Sequence, residues 1–282
     1  MKVNPIYWQE ARVSSRSFRL PLIIFLCDTI LALAALLNMY SMVTQAKATA
    51  EIQYASFLNL YVLVACIEFV MILLIVPALT SGSISGERER QTLNLLLTTR
   101  MTPGDIVIGK LMASLSTIFL LIVSSFPVLA LVFIYGGVTV KDIVLLLLTF
   151  VSTAVLSGSV GICCSSVFKK STIATVVSYC AMAALVLGTG AGARVAGSSG
   201  PSFFSWLLLF NPAMPFGAAM REQLGNVRRL SVLETWAGNW FQRMSAGDWL
   251  WISLMVQFLL AGFCLWTAIC QVNPRRKRRW KY

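Results

Sequence analysis

SFLNLYVLVACIEFVMILLIVPALT, residues Ser56–Thr80, contains no lysine or arginine and a single acid, Glu68. A helix needs about 20 mostly apolar residues to cross the hydrocarbon core of a bilayer. The stretch is therefore a membrane span, and five others like it follow from the same criterion: Leu20–Met42, Gly104–Tyr135, Asp142–Phe168, Thr172–Ala193 and Asp248–Gln271. Of the 282 residues, 57% are hydrophobic and 12% charged, and mean hydropathy is +0.77. Such a composition excludes a water-soluble globule. The fold class is an all-α membrane protein with six transmembrane helices, organised as one transmembrane domain over residues 1–282.

A net charge of +12 raises the question of a nucleic-acid partner. The basic residues sit at span ends, however, where they report orientation, and no nucleic acid is expected. With the N-terminus inside, Lys2, Arg12, Arg16 and Arg19, then Arg88, Arg90, Arg100 and Lys110, then Lys169 and Lys170, and the basic tail from Arg275 to Lys281 all fall on the inner side. The two short outer loops carry only Lys47 and Lys141. The positive-inside rule thus predicts a multi-pass protein of the cell membrane with both termini cytoplasmic. The first span is too long for a signal-peptide core and follows a polar segment, so it is expected to remain in the mature chain. All seven cysteines fall inside predicted spans, which argues against a disulfide framework. With no histidine and no CxxC, no zinc site is expected.

Outside the spans, residues 1–19 read as an interfacial helix opened by Asn4-Pro5, with Tyr7, Ala11 and Phe18 on one stripe and Arg12, Arg16 and Arg19 on another. A solvated cytoplasmic start is the alternative. The third, fourth and sixth spans begin with Thr102-Pro-Gly-Asp105, Thr139-Val-Lys-Asp142 and Ser245-Ala-Gly-Asp248, in which a hydroxyl caps and a carboxylate three residues on favours the helix start. Pro127 is expected to kink the third span. Residues 194–247 hold FFSWLLLF and then Asn211-Pro-Ala-Met-Pro215, too short and broken to cross; an outer re-entrant hairpin packed against the bundle is expected, with a surface helix as the alternative. Trp236, Trp240, Trp249 and Trp251 lie where an aromatic belt sits. Residues 272–282 form a basic cytoplasmic tail. Small residues in Ser157-Gly-Ser-Val-Gly161 and Gly188-Thr-Gly-Ala-Gly192 permit close helix packing or a dimer seam.

The segment joining the second and third spans, residues 81–103, reads SGSISGERERQTLNLLLTTRMTP and runs into GDIVIGKLMA. Gly86 caps a helix over Glu87–Thr99 whose first turn holds Glu87 and Glu89 and whose apolar stripe is Leu93, Leu96 and Leu97. On physical grounds such a helix serves equally well to receive motion from a soluble motor or to lie passively at the interface. Here the residues decide: GERERQTLNLLLTT followed by the GK of IVIGKL resembles the loop between spans two and three of type-2 ABC exporter permeases. Gly86, Glu87, Arg88, Glu89, Thr92, Leu93, Leu95, Leu96, Gly109 and Lys110 match that pattern, whereas Gln91 stands where glycine is usual and Asn94 where glutamate is usual.

The resemblance implies a non-catalytic permease subunit of an ABC exporter, working by alternating access. ATP and magnesium would be bound by cytoplasmic ABC ATPase subunits rather than by this chain, which would hold no cofactor. A second permease subunit, identical or different, would complete the membrane pathway. The ATPase-coupling residues so implied are Gly86, Glu87, Arg88, Glu89, Arg90, Thr92, Leu93 and Leu96. Gly104-Asp-Ile-Val-Ile-Gly109-Lys110 mimics a phosphate loop, but Leu111 replaces the hydroxyl residue that holds magnesium and no strand precedes it. Lys110 reads instead as a basic side chain snorkelling to the inner interface.

Asp28 and Glu68 lie inside the first and second spans at comparable depths. Acids there usually face protein or water and often mark a pathway. They are candidate pathway residues, with hydrogen-bonded structural acids as the alternative. They also support a rival class, an ATP-independent secondary transporter or channel using Asp28 and Glu68, although no pair of broken-helix repeats accompanies them.

Overall fold

The computed structural model describes residues 5–49, 55–92, 102–136, 139–196, 207–224 and 246–272. These form α1 (Pro5–Arg16), α2 (Arg19–Thr49), α3 (Ala55–Ser81), α4 (Ser85–Glu89), α5 (Pro103–Gly136), α6 (Val140–Val167), α7 (Ser171–Ala183), α8 (Thr189–Ala196), α9 (Ala213–Leu224) and α10 (Ala246–Val272). A π-helical turn at Ala184–Gly188 joins α7 to α8 in one rod, and a 3-10 turn at Leu208–Phe210 precedes α9. Among the described residues there is no strand. Among the described residues six stretches are long and apolar enough to cross a membrane: α2, α3, α5, α6, the α7–α8 rod and α10. The chain is an all-helical, multi-pass membrane protein.

Local chemistry sets the clearest helix starts. At α6, Thr139 and Asp142 form a reciprocal capping box, the Asp142 carboxylate accepting from the Thr139 amide at 2.9 Å. Thr102 and Asp105 repeat it at α5: the Asp105 amide donates to Thr102 Oγ1 at 3.2 Å and the Thr102 amide to Asp105 Oδ2 at 3.1 Å. Ser245 lies outside the described residues. α2 continues beyond the apolar run that ends at Met42, reaching Thr49, because SMVTQAKAT contains neither glycine nor proline to stop it. α5 remains helical through Pro127, and α3 does so through Pro77.

α6 is the axis of the bundle, packed on α3, α5, α7, α9 and α10. Its centre is lined with small and hydroxyl residues, which let neighbouring helices approach closely where lipid gives no hydrophobic drive to association. Thr153 and Ser157 return their hydroxyls to the carbonyls of Thr149 and Thr153 one turn back, both at 2.8 Å, so no buried donor is wasted. A Cβ on Gly158 would stand 2.9 Å from Leu111 Cδ1, and one on Gly161 would collide with the Thr80 side chain. The Ser157–Gly161 stripe is thus an intramolecular seam of α6 with α3 and, at Gly158, with α5. α2 lies at the edge, with Phe25, Leu36, Leu37 and Tyr40 exposed.

One expectation needs correction. Ile6, Tyr7 and Glu10 of α1 pack inward, with Tyr7 Oη 3.2 Å from Ser116 Oγ of α5, whereas Phe18, expected on the stripe with Tyr7 and Ala11, lies beyond the end of α1 at Arg16 and is 79% exposed. Of the segment over 194–247, the described residues between α8 and α10 are 207–224, and their helix α9 packs against the bundle, on α6 and α10. Phe216 stacks on Phe69 at 4.5 Å between ring centroids. Gln223 ties α9 to two further elements, accepting from Tyr61 Oη at 2.7 Å and donating to the Asp142 carbonyl at 2.7 Å.

Both ends of the described chain approach one end of the bundle. Glu10 of α1 meets Glu87 of α4 across Lys110 of α5, and Val272 at the close of α10 packs in one cluster with Ile84 and Val107.

Candidate functional site

The run Ser81–Glu89 leaves α3 and turns back under the bundle. α4 has no side-chain cap of its own, because its N-cap is Ile84. Ser165 of α6 supplies one: its Oγ accepts from the amides of Ile84 and Ser85, both at 2.9 Å. Ser81 Oγ shares a hydrogen bond with Thr175 Oγ1 of α7 at 2.9 Å. Serine hydroxyls therefore fasten this turn and α4 to α6 and α7.

Each charge of Gly86-Glu-Arg-Glu89 then takes a different partner. Glu87 pairs with Lys110 of α5 at 2.8 Å, and Lys110 also pairs with Glu10 of α1. The Arg88 guanidinium donates to the carbonyls of Ser166, at 2.9 Å, and Phe168, at 3.3 Å, at the C-terminal end of α6. Glu89 accepts from the Ser171 amide at 3.0 Å and the Ser171 hydroxyl at 2.8 Å, at the first residue of α7. A cation at a helix C-terminus and an anion at an N-terminus both match the helix dipole. One five-residue helix thus holds α1, α5, α6 and α7 in fixed relation.

Lys110 does not snorkel. Its side chain is 2% exposed, because α1 lies over it and supplies the second carboxylate. An ammonium hidden from water needs such partners, as its lost hydration is otherwise uncompensated. Beside this triad a cavity of about 730 Å³ opens among α1, α2, α3, α4 and α5, with Gln9, Glu10, Leu79, Glu87, Arg90 and Lys110 among its walls.

The helix expected over Glu87–Thr99 does not run unbroken. α4 ends at Glu89, and Gln91 takes a left-handed backbone with φ 59°. The Arg90 amide closes the helix end on the Gly86 carbonyl at 3.1 Å. This is the position where the resembling pattern carries glycine, the residue that adopts such a φ without a Cβ penalty. Gln91→Gly is expected to raise stability by about 0.5–1 kcal/mol, seen as a higher unfolding temperature in detergent. An unchanged or lower temperature would count against the strain. Arg90, Gln91 and Thr92 are exposed, with Thr92 Oγ1 donating to the Glu87 carbonyl at 3.2 Å. Leu93 and Leu96 lie outside the described residues.

Asp28 and Glu68 are held away from this end, on consecutive serines of α5: Asp28 Oδ1 accepts from Ser124 Oγ at 3.0 Å, and Glu68 Oε1 lies 2.7 Å from Ser125 Oγ. The pair are at one level of the bundle, and neither is among the residues lining the 730 Å³ cavity. Glu10, Ser165, Ser166 and Ser171 escaped sequence reasoning. The available signals were faint: Glu10 is the one acid of α1, and Ser171 opens a helix directly after Lys169-Lys170.

The family model described as "ABC-2 family transporter protein" matches residues 27–270, nearly the whole bundle and all of α4. No curated protein matches the chain.

Proposed function

The chain belongs to the ABC-2 transporter family, as a membrane transport subunit, and from that premise we propose that it is an exporter permease driven through α4 by separate ATPase subunits. ATP and magnesium are bound in those partners. Two permease subunits, identical or different, enclose the pathway and alternate its access, with both termini and the α4 end in the cytoplasm. The observation that carries the reading is the clamp at α4. A push on its exposed edge at Arg90–Thr92 reaches α1 and α5 through Glu87 and Lys110, α6 through Arg88, and α7 through Glu89. A passive interfacial helix has no need of contacts to four other helices.

The test reconstitutes the chain with its ATPase in nanodiscs for assembly and hydrolysis, and in vesicles for transport. Arg88→Ala removes charge-assisted bonds worth roughly 1.5–3 kcal/mol, so transport per ATP hydrolysed is expected to fall about tenfold or more while the complex still assembles. Transport that keeps its yield in this variant would overturn the clamp as transmitter. Transport that persists without ATP would instead assign a secondary transporter using Asp28 and Glu68.

A further inference from the structure

Glu68 sits mid-helix in α3 with none of its surface exposed, and among the described residues its Oε2 has no hydrogen-bond partner. Its other oxygen, Oε1, is 2.7 Å from Ser125 Oγ, and that same Oγ is 2.8 Å from the Ile122 carbonyl. A serine hydroxyl carries one proton. One proton shared between two bare acceptors serves each only weakly, as at Ser124, which lies 3.0 Å from Asp28 and 2.8 Å from the Leu121 carbonyl; both bonds at Ser125 are full only if one contact draws its hydrogen from the other side. The Ile122 carbonyl has none to give, and Glu68 can have one.

We propose that Glu68 is a proton-binding site inside the membrane bundle, occupied in this packed state. Glu68 then donates from Oε1 to Ser125 Oγ, Ser125 donates on to the Ile122 carbonyl, and Oε2 is the carbonyl oxygen of a neutral acid. The arrangement removes an otherwise severe cost, since an ionised carboxylate with one oxygen bare and no cation beside it is strongly disfavoured away from water.

The surroundings agree. Asp28, on α2, is the acid at the same level, bound through the adjacent Ser124 and only partly buried. Of the two, Glu68 is the one wholly shut off from water. On the helices packed against α3, the other charged residues lie near helix ends: Arg19 and Lys47 of α2, Asp105 and Lys110 of α5, Lys141 and Asp142 of α6, and Arg221 and Glu222 of α9. Within described α7 there is no charged side chain, and Tyr179 donates to the Leu74 carbonyl instead. Tyr61, two turns along α3, is engaged with Gln223. Ionisation therefore requires α2, α3 and α5 to part and admit water, to which the proton passes as hydronium. Proton occupancy of Glu68 and closure of these three helices are linked.

The experiment is infrared spectroscopy of the full chain in lipid nanodiscs, in light and heavy water. At neutral pH a protonated-carboxyl carbonyl band, shifted by deuterium, is expected; it is lost in Glu68→Gln and retained in Asp28→Asn. Ser125→Ala, which keeps the carboxyl, should move the band to higher frequency because the acid loses its acceptor. As pH is raised until the band fades, maleimide labelling of Cys27, buried on α2 in the same apolar cluster, should rise in parallel relative to that of the exposed Cys180, which corrects for thiol ionisation. A wild-type spectrum without the band, or a band surviving Glu68→Gln, overturns the site. A band that fades while Cys27 stays protected overturns the link to helix separation.

Discussion

Lys110→Met is expected to lower stability by about 3 kcal/mol, near the bottom of the range for removing one partner of a buried ion pair. The methionine fills similar volume, so the loss is electrostatic: Glu10 and Glu87 are left facing each other with no cation between them. Glu10 is 35% exposed and Glu87 23%, and this partial contact with solvent holds the cost below the full figure for a sealed site. The check is the unfolding temperature of the chain in nanodiscs, together with transport in the reconstituted complex. Adding Glu87→Gln to Lys110→Met should recover part of the loss, because it removes one of the two stranded charges. If Lys110→Met unfolds at the wild-type temperature, the triad is not a structural tie.

Gly161→Val is expected to cost about 1–3 kcal/mol, the usual range for forcing atoms into a packed interior. A Cβ there collides with Thr80 and comes within 3.4 Å of the Ser81 amide, so α3 must move away from α6 just where it turns into α4. That displacement should also weaken the bonds from Ile84 and Ser85 to Ser165, and with them transport. The matched control is Gly188→Val, in the π-helical turn, where a Cβ meets nothing within 4 Å. Equal melting of the two variants would remove the close α3–α6 approach from the account. In the milder Gly161→Ala background, Thr80→Ala should restore part of the stability by removing the oxygen that the new methyl strikes.

The glycine stripe illustrates how far the chain's order of residues can be followed. Ser157-Gly-Ser-Val-Gly161 announces that something comes close, since small residues in a span have little other use. Whether the neighbour is another helix of the same chain or a second copy is a matter of three-dimensional arrangement, and here it is α3, joined at Gly158 by α5. Lys110 makes the same point from the other direction. A lone lysine two turns inside a span reads as a snorkelling residue, because the helix that covers it, α1, begins a hundred residues earlier and gives no local hint that Glu10 will reach it.

What the residues by themselves determine is whatever obeys a local or one-dimensional rule. The thickness of the hydrocarbon core turns apolar run length directly into six spans. Thr102-x-x-Asp105 and Thr139-x-x-Asp142 set their helix starts by bonds spanning three residues, and the Gly-Glu-Arg-Glu motif marks α4 as special. Tertiary structure alone decides what that motif does. Glu89 meets Ser171 82 residues away, Arg88 meets the Ser166 carbonyl 78 residues away, and Glu68 and Asp28 come to adjacent serines because three helices share one level. Each of these partners is fixed by how the helices pack, and packing depends on side-chain shape summed over the whole bundle rather than on any spacing along the chain.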